Sequence, residues 1–442
     1  MADLRQHALA IFEAALRAAG PAEAVRRNVS LEGDTLRAGD GVYDLAAFER
    51  IFVIGAGKAG AAMAQGLESI LGGRITAGLI NVKYGHVAPL KRVELNECGH
   101  PVPDEAGVRG VRRIEEIAGG AGERDLVICL ISGGASALTP APADGITLEE
   151  KQLTTKLLLS AGADIFELNT VRKHISTLKG GQLARLAAPA TVITLILSDV
   201  IGDDLSVIGS GPTAPDPSTY ADAVAILNRF DLLDGVPVSV RARLERGEPE
   251  TPKAGDAVFA RVRNVIVGSN KLAVESAEQA ARGLGYETAI LSTTISGEAR
   301  NLAVDYAGRL KAMPPGSCAI AGGETTVTVR GSGLGGRNQE FAMVAGMALD
   351  GVADALVLSG GTDGTDGPTD AAGGIGDGAT MERARAAGID AAEYLARNDS
   401  YHFLARLGDL VMTGPTNTNV MDVVVMLRGV KQFSYVLAVA AG

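Results

Sequence analysis

The sequence predicts an α/β fold in two domains, the first built on a parallel sheet with helices on both faces. Three observations predict it. Short apolar runs alternate with segments of helical periodicity along most of the chain, the signature of strand–loop–helix units. A length of 442 residues exceeds the usual span of one domain. Glycine supplies 57 residues, about 13% against a usual 7%. It follows no collagen period, so it belongs to turns and close-approach loops.

The elements follow in order. MADLRQHALAIFEAALRAAG at the start has early acids and an amphipathic period, which reads as a helix and not as a signal peptide. Ile51–Ile54, Gly78–Val82, Leu126–Ile131 and Val192–Leu197 are continuous apolar runs, expected as buried strands. Lys58–Leu71, Glu105–Ile117, Leu148–Ser160 and Asp164–Leu178 are expected helices. A second series begins with a strand at Asn264–Val267. It continues through a helix at Asn270–Leu284, a strand at Thr288–Leu291 and a helix at Glu298–Leu310. Further strands are expected at Cys318–Ala321, Thr326–Val329, Leu356–Leu358 and Val423–Met426. Between the series, Gly235–Phe259 is rich in charge, Pro and Gly. The expected division is therefore 1–235, a linker at 236–259, and 260–442.

Composition narrows the function. Lys plus Arg is 41 and Asp plus Glu 52, a net charge of −11. Nothing global attracts a phosphate backbone or an anionic membrane, so the partners expected are small molecules. The longest apolar run, Val192–Leu197, is far too short to span a bilayer. Three widely spaced cysteines (Cys98, Cys129, Cys318) form no CxxC pair, which argues against a disulfide scaffold and suits a reducing compartment. A cytoplasmic enzyme is the expectation, and a homodimer is compatible with it.

Candidate chemistry sits in loops at strand ends. GAGKAG (Gly55–Gly60) has G-x-G-x-x-G spacing between a strand and a helix, with Gly55 and Gly57 free to approach phosphate. A dinucleotide site also needs a carboxylate about 20 residues on, and the second strand ends in Asn81-Val82-Lys83 instead. Lys58 places a cation beside any bound phosphate, which suits phosphoryl transfer. SGGASAL (Ser132–Leu138) is a second small-residue loop. Gly133, Gly134 and Ser136 read as an anion cradle, because the spacing is not that of a serine nucleophile. In NTVRKHISTLKGG, a continuous helix would set Arg172, Ser176 and Lys179 on one face, with Asn169 and Lys173 beside them. Such a basic patch would favour a carboxylate or phosphate. Asp199, in LSDV, ends an apolar strand and is either an N-cap or turn residue, or a general base or metal-orienting carboxylate. GSGPTAPDPST adds Ser210, Thr213 and Asp216.

The second half holds four more such loops. GGETT (Gly322, Gly323, Glu324, Thr325) is expected between two strands. GLGGRNQE opens a helix and brings Gly336, Asn338 and Arg337, a fixed cation able to stabilise a transferring phosphoryl group. TDGTDGPTD carries Asp363, Gly364, Asp366 and Asp370. It lacks the final glutamate of a calcium loop and is read as a carboxylate loop able to support Mg²⁺. TGPTNTNVMD offers Thr416, Thr418 and Asn419.

These motifs, with GGETTVTV and NDSYHF, resemble the class II glycerate kinases, the glycerate 2-kinase family whose C-terminal portion is called MOFRL. The resemblance spans essentially the whole chain. It implies a Rossmann-like N-terminal domain, a smaller C-terminal α/β domain and a cleft between them. It implies phosphorylation of D-glycerate by ATP with a divalent metal, giving 2-phosphoglycerate. By resemblance, Lys58, Asp199 and Arg337 are catalytic. Gly55, Gly57, Gly133, Gly134, Ser136, Asn169, Arg172, Lys173, Lys179, Ser210 and Thr213 bind substrate or phosphate. Gly322, Gly323, Glu324, Thr325, Gly336, Asn338, Asp363, Gly364, Asp366, Thr416 and Asn419 serve the nucleotide or the cleft. Ala135 and Asn417 stand where relatives commonly have glycine. The rival readings are an NAD(P)-dependent hydroxypyruvate reductase and a non-catalytic nucleotide- or hydroxy-acid-binding protein.

Overall fold

The computed structural model describes residues 2–429. They form two units, one of 19–269 with 417–420, the other of 2–18, 270–416 and the described residues from Met421 on. The chain thus does not divide at 235 or 259. The segment 236–259 is no linker, because it contains the helix Val238–Arg246. Val236, Val240 and Leu244 are buried there with Tyr220, Ala223 and Leu227. The N-terminal helix Ala2–Ala19 groups with the second unit, where the Ser276 hydroxyl donates to the Ala14 carbonyl. Residues 430–442 of the expected C-terminal domain lie outside the described residues.

The first unit opens with a small antiparallel sheet, β1 (Val29–Glu32), β2 (Thr35–Ala38) and β3 (Gly41–Asp44). Its centre is a parallel sheet of β4 (Arg50–Ala56), β5 (Ala77–Lys83), β6 (Val93–Cys98), β7 (Asp125–Ile131), β8 (Thr191–Leu197) and β9 (Val262–Gly268). The spatial order is β6-β5-β4-β7-β8-β9, the doubly wound order. β9, expected to start the second domain, instead closes this sheet, pairing in parallel with β8 from Val192–Val262 to Leu197–Gly268. Both faces are covered. Ile80 and Val82 face Gly60 at the start of helix Gly60–Leu71, while Asn81 faces Gly110 in helix Glu105–Gly119. Every residue of β7 and β8 is buried, which is why they read as unbroken apolar runs.

The second unit is a mixed sheet in the order β10-β11-β15-β12-β13-β14. Its strands are β10 (Glu287–Glu298), β11 (Ser317–Thr326), β12 (Ala355–Gly361), β13 (Gly373–Asp377), β14 (Leu410–Val411) and β15 (Asp422–Arg428). Only the β10–β11 pair is parallel. GGETT is not a loop between strands but the end of β11, which takes in Thr326, and no strand follows at 327–329. Cys98, Cys129 and Cys318 are all buried free thiols, and burial pushes each up to about 12. Among the described residues no helix is long and apolar enough to cross a membrane.

Candidate active site

In a doubly wound sheet, ligands bind outside the carboxyl ends of the strands where the order reverses. Here that point lies between β4 and β7, and GAGKAG and SGGASAL leave the sheet side by side. Gly55 (φ +155°) and Gly57 (φ +145°) are required by this neighbour and not by an open cradle. A Cβ on Gly55 would lie 2.0 Å from the Leu130 carbonyl oxygen, and one on Gly57 2.0 Å from Ser132 Oγ. The Lys58 N–H donates to the Gly133 carbonyl at 2.9 Å, and the Ala59 N–H to Ser132 Oγ at 3.1 Å. The two loops are thereby locked together beneath the Lys58 side chain.

Asp199 reaches the same place from the end of β8. A Cβ on Gly133 would meet Asp199 Oδ2 at 2.3 Å, so the carboxylate occupies the space glycine leaves. No other described residue donates a hydrogen bond to that carboxylate. Burial raises the Asp199 carboxyl above its ordinary range, and the nearby Lys58 charge only partly opposes this. The Lys58 ammonium likewise has no hydrogen-bond or ion-pair partner among the described residues. An unpaired cation and an unpaired, proton-avid carboxylate at a switch point are the ingredients of charge-compensated transfer from a hydroxyl.

The segment 169–181 departs from the sequence reading. The helix Ile165–His174 stops before Ile175, so Arg172, Ser176 and Lys179 share no helical face. Lys179 is buried, with its ammonium on the Ser136 and Thr139 carbonyls at 2.8 and 3.0 Å, which staples the end of SGGASAL. Lys173 is buried against Asp216 at 3.1 Å. Thr213 Oγ1 is buried between Thr194 and Asn264. These three side chains all bond within the fold. Ser136, Ser210 and Asn169 form one hydrogen-bonded relay, with Oγ–Oγ 2.7 Å and Ser210 to Asn169 Oδ1 3.0 Å. Within this segment Arg172 keeps a charge with no partner among the described residues, and burial draws it down to about 10.

Asn81, the residue in place of the dinucleotide carboxylate, is buried. Its amide donates to the Gly107 and Leu138 carbonyls and accepts from Asn96. It anchors helix Glu105–Gly119 and has nothing to offer a ribose.

In the second unit, Arg337 begins the helix Arg337–Ala348. It forms a two-pronged pair with Asp422 (Nε–Oδ2 2.6 Å, Nη2–Oδ1 2.9 Å), and Glu324 lies 3.1 Å from Nη2. The cation is therefore compensated, with Nη1 left uncommitted. Burial raises the Asp422 carboxyl, against the pull of Arg337. Asp366 caps the same helix. Its oxygens accept the Asn338 and Gln339 N–H groups at 3.2 and 2.8 Å, where Gly336 has no side chain to do so. Gly336 lets it in, since a Cβ would lie 2.3 Å from Asp366 Cγ. Asn338 is buried and accepts from Ser359 at 2.6 Å. Gly322 makes room for Asn270, Gly323 (φ +141°) for Ile295, and Gly364 (φ +85°) for the Gly414 carbonyl. Thr325 is buried within β11. Asp363 is half-buried, accepts the Thr365 N–H, and its carbonyl accepts the Thr416 N–H. Asn419 lies in the 417–420 segment of the first unit, half-buried.

Asp363 and Asp366, the expected metal ligands, do not belong to a three-ligand cluster. Both Asp366 oxygens are spent on helix N–H groups, and among the described residues no three His, Cys, Asp or Glu side chains gather around one point. In the structure Asp366 serves as the cap of the helix Arg337–Ala348.

Residues 7–245 match the model of a domain of unknown function, DUF4147, and residues 317–422 match the MOFRL family. A glycerate 2-kinase of Pyrococcus horikoshii is 41% identical over 434 residues, covering 96% of this chain and 97% of that one. The chain belongs to the glycerate 2-kinase family. A glycerate kinase crystal structure from Thermotoga maritima superposes with a TM-score of 0.88 at 38% identity, over 97% of this chain and 100% of the other. A relative from Agrobacterium vitis, 44% identical over 86% of this chain and 87% of its own, bears the provisional name of a hydroxypyruvate reductase.

For this member of the glycerate 2-kinase family, two side chains escape the sequence reading. Asp422, the partner of Arg337, is signalled only by a carboxylate at the head of the apolar run DVVVML. His100 follows β6 and packs against Gly134, which the Lys58 stem also approaches. Its one signal is a histidine in the glycine- and proline-bounded segment CGHPVPD.

Proposed function

We propose that the chain transfers the γ-phosphoryl group of ATP to the 2-hydroxyl of D-glycerate, giving 2-phosphoglycerate and ADP in the cytoplasm. The observation that carries this reading is the unpaired Lys58 and Asp199 pair at the carboxyl edge of β4, β7 and β8. Asp199 accepts the hydroxyl proton as the new O–P bond forms and the bond from phosphorus to the ADP oxygen breaks. Lys58 offsets charge on the phosphoryl oxygens, the main demand of such a transfer. The unpartnered Arg172 takes the glycerate carboxylate. Arg337 supplies a second compensating cation through Nη1, and Glu324, Asp363 and Thr416 are the residues assigned to the nucleotide. The partners are then small molecules.

The test is a paired assay on one sample. One arm holds ATP, Mg²⁺ and D-glycerate, with the product identified by phosphorus NMR. The other holds hydroxypyruvate with NADH or NADPH. The expected result is 2-phosphoglycerate without cofactor oxidation. Cofactor oxidation without ADP would overturn the kinase reading in favour of a reductase, and silence in both arms would favour a binding protein. Removing a charge-stabilising group costs about 3–4 kcal/mol of barrier. Lys58→Met and Arg337→Met should each lower kcat at least about a hundredfold, and a variant within a few-fold of wild type would remove that residue from the mechanism.

A further inference from the structure

The proposed transfer leaves one polar group beside Lys58 without a task. We infer that His100 is a further ligand-contacting residue of this site, its imidazole donating a hydrogen bond to the phosphoryl oxygens that Lys58 attracts. The inference rests on the kinase reading.

The geometry is carried by Gly134. A Cβ built there would lie 2.9 Å from both Cδ2 and Nε2 of His100 and 3.4 Å from Cγ of Lys58. The ring edge and the lysine stem thus share the hollow left by one glycine. In the adjacent hollow, over Gly133, sits the Asp199 carboxylate. His100 therefore completes a group of three polar side chains, arriving from β4, β6 and β8, around the Gly133–Gly134 turn.

The other four histidines show what is unusual. His7 bonds Tyr286, His86 bonds the Lys58 carbonyl, His174 bonds the Thr170 carbonyl and Glu250, and His402 bonds Asp399. His100, half-buried, has no partner at either ring nitrogen among the described residues. Neither nitrogen is buried, so both remain open to solvent and a ligand can reach them without displacing a protein partner. The surroundings name the ligand's charge. Burial, and with it the nearby Lys58, Lys83 and His86, holds the ring below its ordinary value, hence neutral near pH 7. Asp199 is the one carboxylate of the group. A neutral imidazole among cations suits an oxyanion: it donates an N–H without deepening the positive charge that must be desolvated.

The experiment observes the imidazole directly. Proton NMR of the full chain gives Hε1 resonances, and the signal missing in His100→Gln is that of His100. Wild type is titrated with 2-phosphoglycerate, with D-glycerate and with inorganic phosphate. The expected result is that 2-phosphoglycerate and phosphate move the His100 signal and glycerate moves it less. His100→Leu should lose at least about tenfold in kcat/KM, while His100→Gln, which keeps an N–H donor, stays within about threefold. If 2-phosphoglycerate saturates the protein, judged by shifts elsewhere, while the His100 signal stands still, the inference fails and the kinase reading survives. If wild type makes no 2-phosphoglycerate, the kinase reading fails. A His100 shift with inorganic phosphate would then uphold the anion contact, and no shift would overturn it.

Discussion

Gly133→Ala tests the placement of Asp199 without touching a charged group. A Cβ at 133 would stand 2.3 Å from Asp199 Oδ2 and 3.0 Å from its Cγ. An ordinary carbon–oxygen contact is roughly 3.4 Å, so the carboxylate must retreat by about 1 Å. A displacement of that size at a reacting group costs on the order of a hundredfold in rate, or about 2.7 kcal/mol of barrier. The assay is ADP release with saturating ATP and varied D-glycerate, together with the thermal midpoint. Turnover should fall about a hundredfold with little change in midpoint, because the new methyl meets the end of a flexible side chain and no backbone. Gly308→Ala is the control. That residue is exposed in the helix Ala299–Ala312 with nothing within 4 Å, so turnover should hold and stability rise by about 0.5–1 kcal/mol. Gly133→Ala turning over within fivefold of wild type would refute the argument that Asp199 must sit over that glycine.

Other consequences concern charge and pH. Arg172→Met should raise the KM for D-glycerate at least about tenfold and leave that for ATP nearly unchanged. A change confined to ATP would move Arg172 to the nucleotide. Because burial raises the Asp199 carboxyl, the acid limb of the pH–kcat/KM profile should fall above the ordinary carboxylate range, activity disappearing as pH drops through it. A limb at ordinary carboxylate pH would argue against Asp199 as the base. Asp366 is buried and raised from 3.8 to about 6. The folded chain therefore keeps this proton longer than the unfolded one, and stability should fall by roughly 3 kcal/mol as pH rises from about 4 to about 6. Urea titrations across that window should show this fall in wild type and not in Asp366→Asn, and parallel profiles would refute it.

How much was legible follows from burial. β4, β7 and β8 are enclosed nearly end to end, so their sequences are apolar runs that have no other reading. β1–β3 are short and half-exposed, β6 alternates as VELNEC, and β13 is GGIGD. In β13 glycine serves close packing: a Cβ on Gly376 would lie 2.1 Å from the Ala342 carbonyl oxygen. No apolar period marks such a strand. Lys58 and Asp199 were legible because each ends a readable strand. Arg172 was singled out for a helical face that ends at His174. Lys173 and Lys179 look like ligand-binding cations in sequence, but only the fold brings Asp216 and the Ser136 and Thr139 carbonyls to them. The segment 235–259 has a linker's composition, yet tertiary contacts bury its few apolar residues.

The interleaving of the two units bears on how the protein is made. Helix Ala2–Ala19 leaves the ribosome before any of the strands it groups with, β10 to β15, which come only after residues 19–269 have been synthesised. Its Ile11 and Phe12, fully enclosed in the finished fold, stay uncovered through that interval, the kind of transient apolar surface that engages chaperones. The parallel sheet, by contrast, is complete once β9 has emerged at Gly268. A gene cut at 235 or 259 yields a sheet lacking its edge strand, whereas one cut after Ser269 preserves the sheet, orphans the first helix and removes the 417–420 segment of the first unit.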